Sequence, residues 1–555
     1  MKEEVRQKLL KRNSRTTNTI FNFTTNVGGQ LVSIALSFVV RTVFIMTLGK
    51  SYLGIGGLFS NILTMLSLAE FGVGSAIVFK LYEPMAAMDE HRIAVLMKFY
   101  KKMYRIIGLA VAAIGLCLIP FLPKLINGYD KLEALHINAA AIFLLYLLKS
   151  VSSYFFFAYK SSIIRVDQKG YLLNVISYFF SFGLAAVQIV TLLLFKNFML
   201  YVVLQVAEVI TQNIFCARLA DAMYPCIKNE PEESLSREEV RGIFKDCYAI
   251  FLYTLNNVVL KATDYIIISM CLGIDMVGIY SNYYIFYTSV GSLFKKIYTA
   301  VSHSLGNLHT ERRISHEYKI YKTVNLITAV IGYTAGIGIA AIGNEFVTTW
   351  IGSEWVLAQP FAILLGIETA SKAFRIAIGK YRSTMGLFRQ AMYRPVVGMA
   401  INLVLSVLLV RNWGISGVLV GTIVADLTTM MWYDPYVIHK YGFAGKYPVS
   451  GYYLKFVIYA GIAAAVGAFN VFVSARFFTG HGWFSIIVHG VIVVVTVPAA
   501  YLLAFWRTEE GKTFRKMIFR YVKKLKGARG KIKKARASRK GAAGNTDINK
   551  LDNDN

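Results

Sequence analysis

The chain has 555 residues, is 56% hydrophobic with a mean hydropathy of +0.51, and carries a formal net charge of +29. Such oiliness excludes a soluble protein, and apolar runs that are continuous instead of alternating exclude a transmembrane barrel. Most of the positive charge lies in loops on one side and in the tail, as the positive-inside rule produces, which argues against nucleic-acid binding.

In chain order, a basic N-terminal segment (1–17) precedes fourteen predicted helices, at 18–48, 51–80, 105–125, 136–158, 171–195, 198–220, 248–272, 274–294, 323–343, 357–379, 391–410, 414–438, 451–473 and 484–506. The first is too long for a signal-peptide core and no small-residue cleavage site follows it, so it is expected to stay in the membrane. Lys2, Arg6, Lys8, Lys11, Arg12 and Arg15 lead in, and the loops near 80–105, 160–170, 218–247, 295–322, 380–394 and 439–455 are rich in Lys and Arg. The opposite loops offer only Lys50, Lys124, Lys131, Lys196, Arg411 and Arg476. This asymmetry predicts a multi-pass protein of the plasma membrane with both termini cytoplasmic and an even number of spans, twelve being the competing count. Trp350, Trp355, Trp413 and Trp483 fall at predicted outer boundaries and Trp432 and Trp506 near inner ones, the expected interfacial belt. Cys117, Cys216, Cys226, Cys247 and Cys271 lie in or beside spans or in a cytoplasmic loop, so no disulfide framework is expected.

The chain contains itself twice. Leu48-Gly49 with Gly54-Ile55 recurs as Leu272-Gly273 with Gly278-Ile279, at a shift of 224. Lys98-Phe99-Tyr100-Lys101 recurs as Lys319-Ile320-Tyr321-Lys322, and Tyr159-Lys160-Ser161-Ser162 as Tyr381-Arg382-Ser383-Thr384, at shifts of 221 and 222. Leu193 to Phe198 matches Leu408 to Trp413 at a shift of 215. The shift spans six predicted helices, so both halves point the same way and a central site is expected between them. The predicted organisation is an all-α membrane protein: a first six-helix lobe (18–220), a cytoplasmic linker (221–247), a second six-helix lobe (248–438), two additional helices (439–506) and a basic cytoplasmic tail (507–555). The tail is expected to begin as an interfacial helix carrying Phe514, Met517, Ile518, Phe519, Tyr521 and Val522, and to end disordered over 541–555.

Charge inside the apolar spans is the functional signal. Arg41, Lys149, Lys261, Lys372 and Arg375 each sit within one. At roughly 2.5–3.5 kcal/mol per central basic residue, the five amount to about 12–17 kcal/mol, tolerable only if they are paired or line a wet cavity. Glu368, Lys372 and Arg375 are spaced i, i+4, i+7 on one helix face. They form either a cavity wall whose cations meet an anion or an internally paired strut. Reasoning within that helix favours the cavity, because one carboxylate cannot neutralise two cations. Lys261 and Asp264 either pair with each other or face the cavity, and the repeat places Arg41 at a depth close to Asp264. Lys149 has no local acid. Glu70, Glu208 and Asp426 are carboxylates that either couple a proton or cation to transport or serve as structural hydrogen-bond partners.

Leu68-Ala69-Glu70-Phe71-Gly72-Val73-Gly74-Ser75-Ala76-Ile77, leading to Leu81-Tyr82-Glu83-Pro84, resembles the second-helix signature of bacterial polysaccharide flippases. So do Tyr159-Lys160-Ser161-Ser162 with Asp167-Gln168-Lys169, and Gly414-Ile415-Ser416-Gly417-Val418 with Gly421-Thr422. These belong to the multidrug/oligosaccharidyl-lipid/polysaccharide (MOP) exporter superfamily, and the resemblance covers about residues 15–506. It implies a MATE-like V-shaped bundle around a central cavity. It also implies transfer of an undecaprenyl-diphosphate-linked oligosaccharide to the outer leaflet for surface polysaccharide synthesis. Arg41 is the match to first-helix basic residues in related peptidoglycan-precursor flippases. The expected partners are the lipid-linked oligosaccharide, membrane lipids, glycosyltransferases and a polysaccharide polymerase. No cofactor is expected, with proton exchange, sodium exchange or the membrane potential as the energy source.

Two alternatives compete. A multidrug exporter of the same fold should have an acidic or aromatic cavity for cationic drugs. A membrane glycosyltransferase or polymerase commonly needs acidic residues in outer loops, yet the first outer loop is only Gly49-Lys50-Ser51. No zinc motif, phosphate loop or nucleophile arrangement is evident, so a non-enzyme is expected.

Overall fold

The computed structural model describes residues 15–134, 137–228, 231–310, 314–387, 389–478 and 482–517, and these contain helices and turns but no strand. The first lobe comprises α1 (Arg15–Leu48), α2 (Lys50–Leu66), α3 (Leu68–Ala87), α4 (Glu90–Leu118), α5 (Ala139–Phe155), the short α6 (Ser161–Val166), α7 (Gly170–Phe195) and α8 (Phe198–Met223). The second comprises α9 (Arg237–Leu272), α10 (Ile274–Thr310), α11 (Ile314–Ile351), α12 (Gln359–Thr384), α13 (Arg394–Thr428) and α14 (Met430–Val437). Then come α15 (Ser450–Phe477) and α16 (Trp483–Ala504), which both pack on α11.

A helix stands at each of the fourteen predicted stretches, with the second divided at Ser67 into α2 and α3. Among the described residues, eight helical stretches are long and apolar enough to cross a membrane, or nine if a bent pair spanning Ala139–Phe155 and Ala158–Val166 is one span. This is a multi-pass membrane protein. One of those stretches, Arg389–Gly442, holds the fold-back inside α13. Gly414 has φ 55° there, and Asn402 Nδ2 donates to Thr422 Oγ1 at 2.8 Å, pairing two antiparallel segments across the turn. Large apolar side chains such as Phe79, Phe179, Phe195, Phe484 and Leu503 remain exposed on the periphery, as a lipid-facing exterior requires.

Local chemistry sets the helix starts. Asp89, Asn138 and Asn197 each accept a bond from a backbone N–H three residues on, and Ser236 with Glu239 forms a full capping box at α9. The turns from α1 to α2 and from α9 to α10 are single glycines, Gly49 (φ 83°, ψ −165°) and Gly273 (φ 91°, ψ 167°). That backbone region is open essentially to glycine alone, so the repeat preserves the one residue both turns demand.

Packing preserves the repeat as well. Tyr100 meets Tyr159 edge-on at 6.0 Å, and their counterparts Tyr321 and Tyr381 do so at 4.9 Å. Lys160 Nζ binds both oxygens of Asp221 at 2.6 and 2.8 Å, while Arg382, the counterpart of Lys160, lies 3.8 Å from Asp434. Between the lobes the contacts are reciprocal. Gly54 lies against the carbonyl of Ile274, and Gly278 against the carbonyl of Lys50, so each residue of one lobe meets the counterpart of its partner. Ser51 donates to Asp275 at 2.6 Å, and these two positions are themselves counterparts, 224 apart, which sets them on the local two-fold axis. Any Cβ at Gly54 or Gly278 would collide with backbone, so α2 and α10 approach this closely only because both are glycine.

Candidate functional site

The lobes enclose a cavity of about 520 Å³, at the scale of small-molecule sites. One face of α1 supplies Ser33, Ser37, Val40, Arg41 and Phe44, a spacing of three to four residues that keeps them on one stripe. α2, α5, α7 and α8 add first-lobe walls including Tyr52, Tyr146, Gln188, Phe198, Tyr201 and Gln205. The second lobe closes it with Tyr265, Ser281, Tyr284, Ile285 and Thr288. Among the described lining residues Arg41 is the sole charged side chain; the rest are aromatic, aliphatic, hydroxyl, amide or small.

Arg41 bridges the lobes. Its Nε donates to Asn282 Oδ1 at 2.7 Å and its Nη2 to Ser281 Oγ at 2.5 Å. Ser281 spends its own proton on the Gly278 carbonyl at 2.7 Å, so its oxygen is left to accept. Both partners are neutral, and the guanidinium keeps its full charge toward the cavity. Tyr265, its counterpart under the repeat, lines the same space and touches Gly57, the counterpart of Ser281.

Lys149 sits behind the first-lobe wall. Its Nζ donates at 2.6 Å to the amide oxygen of Gln205, which lines the cavity, and Glu208, one turn along α8 from Gln205, supplies the opposing charge. Lys149 is thus one hydrogen bond removed from the cavity. The local acid invisible in its own helix comes from α8.

Lys372 and Arg375 lie elsewhere. Arg375 pairs with Asp426 of α13 and, at 2.7 Å, with Glu368. Tyr287 of α10 donates its hydroxyl to the same Glu368 oxygen at 2.7 Å and accepts from Arg375 at 2.9 Å. Lys372 donates to the Tyr287 carbonyl at 3.1 Å with its ammonium 3.4 Å from that ring's centroid. Glu368, Lys372, Asp426 and Tyr287 are all buried, Arg375 nearly so. Counting α12 alone leaves one carboxylate for two cations; Asp426 from α13 supplies the second, and the cluster balances. The sequence expectation that these two cations face a common vestibule with Arg41 is not what the fold delivers.

The remaining predicted residues divide. Glu70 accepts from Tyr104 at 2.7 Å and Tyr154 at 2.8 Å, one hydroxyl on each oxygen, which ties α3 to α4 and α5. Asp264 is buried beside Tyr265, Tyr280 and Tyr284, and its Oδ1 has no hydrogen-bond partner among the described residues. It does not pair with Arg41, which turns to Ser281 and Asn282 instead. The side chain of Lys261 lies outside the described residues.

Several residues of consequence were not singled out from sequence. Arg394 pairs with the fully buried Asp434 at 2.7 Å, alongside Arg382, and Lys160 with Asp221 is the first-lobe equivalent. Their signal was available, because Lys160 and Arg382 occupy the same place in a repeated motif. Ser281, Asn282 and Gln205 carried no such signal, being ordinary polar residues in apolar helices.

No family model matches the chain, and no curated protein is similar to it in sequence. Solved structures are similar in fold. One is described as the lipid II flippase MurJ in an inward closed conformation, with a TM-score of 0.63 at 13% identity, covering 88% of this chain and 100% of that one. The chain shares the fold of that structure. A multidrug resistance MATE family transporter of the MOP superfamily, in an inward-facing conformation, is similar with a TM-score of 0.51 at 15% identity, covering 81% and 100%.

Proposed function

We propose that the protein is a flippase for an undecaprenyl-diphosphate-linked oligosaccharide, moving it from the cytoplasmic to the outer leaflet of a bacterial plasma membrane. One observation carries this reading: a seam cavity whose single described charge is a guanidinium held by neutral oxygens, with no carboxylate among its described lining residues. A planar guanidinium matches phosphate oxygens bidentately. The surrounding tyrosines, serines and glutamines offer ring faces and hydroxyl partners suited to sugars. The aromatic lining would suit a multidrug exporter as well, but a guanidinium with no carboxylate among the described lining residues disfavours a cationic cargo. The neighbours in fold are described as a flippase and a transporter, which supports a non-enzyme.

The geometry also suggests how binding drives motion. Arg41 of one lobe is tied to Ser281 and Asn282 of the other. A diphosphate competing for that guanidinium weakens the tie, so substrate binding favours the arrangement in which the seam opens. With the termini cytoplasmic, as the Lys/Arg bias indicates, an inside-negative potential assists outward movement of a dianion by roughly 2.3 kcal/mol per charge per 100 mV. Glycosyltransferases would supply the substrate and a polymerase would consume it.

The test uses purified protein in proteoliposomes carrying a fluorescent undecaprenyl-diphosphate-linked oligosaccharide, read by an impermeant quencher. Protein-dependent exposure of the label is expected, with no transport of a cationic dye. Dye transport without lipid exposure would overturn the reading.

A further inference from the structure

The bond between Lys149 and Gln205 fixes which end of an amide the seam cavity meets. An ammonium donates and never accepts, so the Gln205 oxygen must face Lys149, 2.6 Å away, and the amide cannot flip. Gln205 is among the described lining residues and Lys149 is not. The oxygen is therefore spent on the wall, and the nitrogen with its two hydrogens is the end left for the cavity. Glu208, the next turn of α8, offsets the Lys149 charge. What Lys149 gives the cavity is an orientation.

That donor does not stand alone. Tyr201, one turn before Gln205 on the same face of α8, also lines the cavity and has both the Gln205 amide and the Arg41 charge beside it. Phe44, one turn from Arg41 along the cavity stripe of α1, packs on Tyr201 with ring centroids 5.0 Å apart. The guanidinium and the α8 donors thus occupy adjoining walls of one space. A guanidinium takes two oxygens of a single phosphoryl group, so a diphosphate held there has a second phosphoryl group still to be met.

We propose that Gln205, with Tyr201, forms the subsite for the second phosphoryl group of a lipid-linked diphosphate, and that Lys149 is a positioning residue acting through Gln205. The assignment rests on the flippase function proposed above and adds what selects its substrate. A lipid-linked monophosphate satisfies Arg41 and leaves the α8 donors unmatched, whereas a diphosphate engages both walls. The site therefore distinguishes the two lipids by one phosphoryl group, and a monophosphate carrier is kept from occupying the seam.

The full-length protein in neutral detergent is titrated with undecaprenyl diphosphate and undecaprenyl phosphate carrying the same single sugar. Wild type is expected to prefer the diphosphate at least about tenfold, as a hydrogen bond to a charged acceptor implies. Gln205→Met keeps the side chain's length, removes the amide and should bring the preference to within about twofold. Lys149→Met should lose the preference likewise, and Lys149→Arg, which still donates to the same oxygen, should restore it. Because Lys149 acts through Gln205, Lys149→Met is expected to change nothing further in the Gln205→Met background. A lysine that merely tied α5 to α8 would lower the unfolding temperature and both affinities alike, with the preference kept. Gln205→Met leaves Lys149 beside Glu208, so it decides the subsite even where Lys149→Met does not fold. Wild type binding both lipids equally, Gln205→Met keeping the preference, or additive losses in the double variant overturn the proposal and leave the flippase reading in place. Binding of neither lipid by wild type overturns both.

Discussion

The two lobes share a backbone plan and treat charge in opposite ways. In the second lobe, Glu368, Lys372, Arg375 and Asp426 close on one another around Tyr287, and the account balances without a ligand. In the first, Arg41 meets only a serine hydroxyl and an amide oxygen, and it faces open volume. Buried charge that is matched by its own chain holds helices together; buried charge that is left over, beside space, is available to something else. The contrast decides which of the basic residues belong to transport and which to architecture.

The largest expected effect breaks the balanced side. Arg375→Met strands Glu368 and Asp426 and is expected to cost about 3–5 kcal/mol of stability, the usual consequence of removing one partner from a buried ion pair. Adding Asp426→Asn leaves Glu368 with Lys372 and should recover most of the loss, read as the unfolding midpoint in detergent. If Arg375→Met unfolds like wild type, the cluster is not the strut described.

Next in size is the pair of ties shared by both lobes. The Asp434 side chain is fully buried between Arg382 and Arg394, whereas that of Asp221 is 22% exposed beside Lys160. Asp434→Ala is expected to destabilise by about 3 kcal/mol and Asp221→Ala by about 1 kcal/mol, because water can replace the carboxylate only at the second. Equal losses would mean the lobes are more alike than their burial indicates.

The repeated plan behind this contrast was legible in the sequence, and the reason is periodicity. The apolar runs gave the helices, and residue types repeated at a near-constant shift marked positions that backbone geometry restricts, such as Gly49 and Gly273. The stripe of Glu368, Lys372 and Arg375 was also readable, since one helix face follows from spacing alone. What could not be read was the partner across an interface. Asp426 and Tyr287 come from other helices, so a cluster that is neutral in three dimensions looked cationic in one. Arg41 and Asp264 were expected at similar depth, but depth does not fix azimuth, and Arg41 points at α10.

The smallest effect is at the second-lobe clamp. Glu509 has a carboxyl held down to about 2 by Lys319 and Lys322, so its stabilisation is complete above its ordinary 4.5 and is lost as pH falls from 4.5 toward 2. Glu509 is half-exposed, and screening keeps the change small and salt-sensitive. Glu509→Gln should flatten stability across that window at low salt; an unchanged acid limb would show that the clamp contributes nothing measurable.

The most direct measurement compares lipid-linked oligosaccharide flipping by Arg41→Gln with its thermal unfolding. Glutamine removes the charge but can still bond to Ser281 and Asn282, so unfolding should stay within about 1 kcal/mol of wild type while flipping falls at least tenfold. Flipping at the wild-type rate by a folded Arg41→Gln would contradict the assignment of the leftover charge to the substrate.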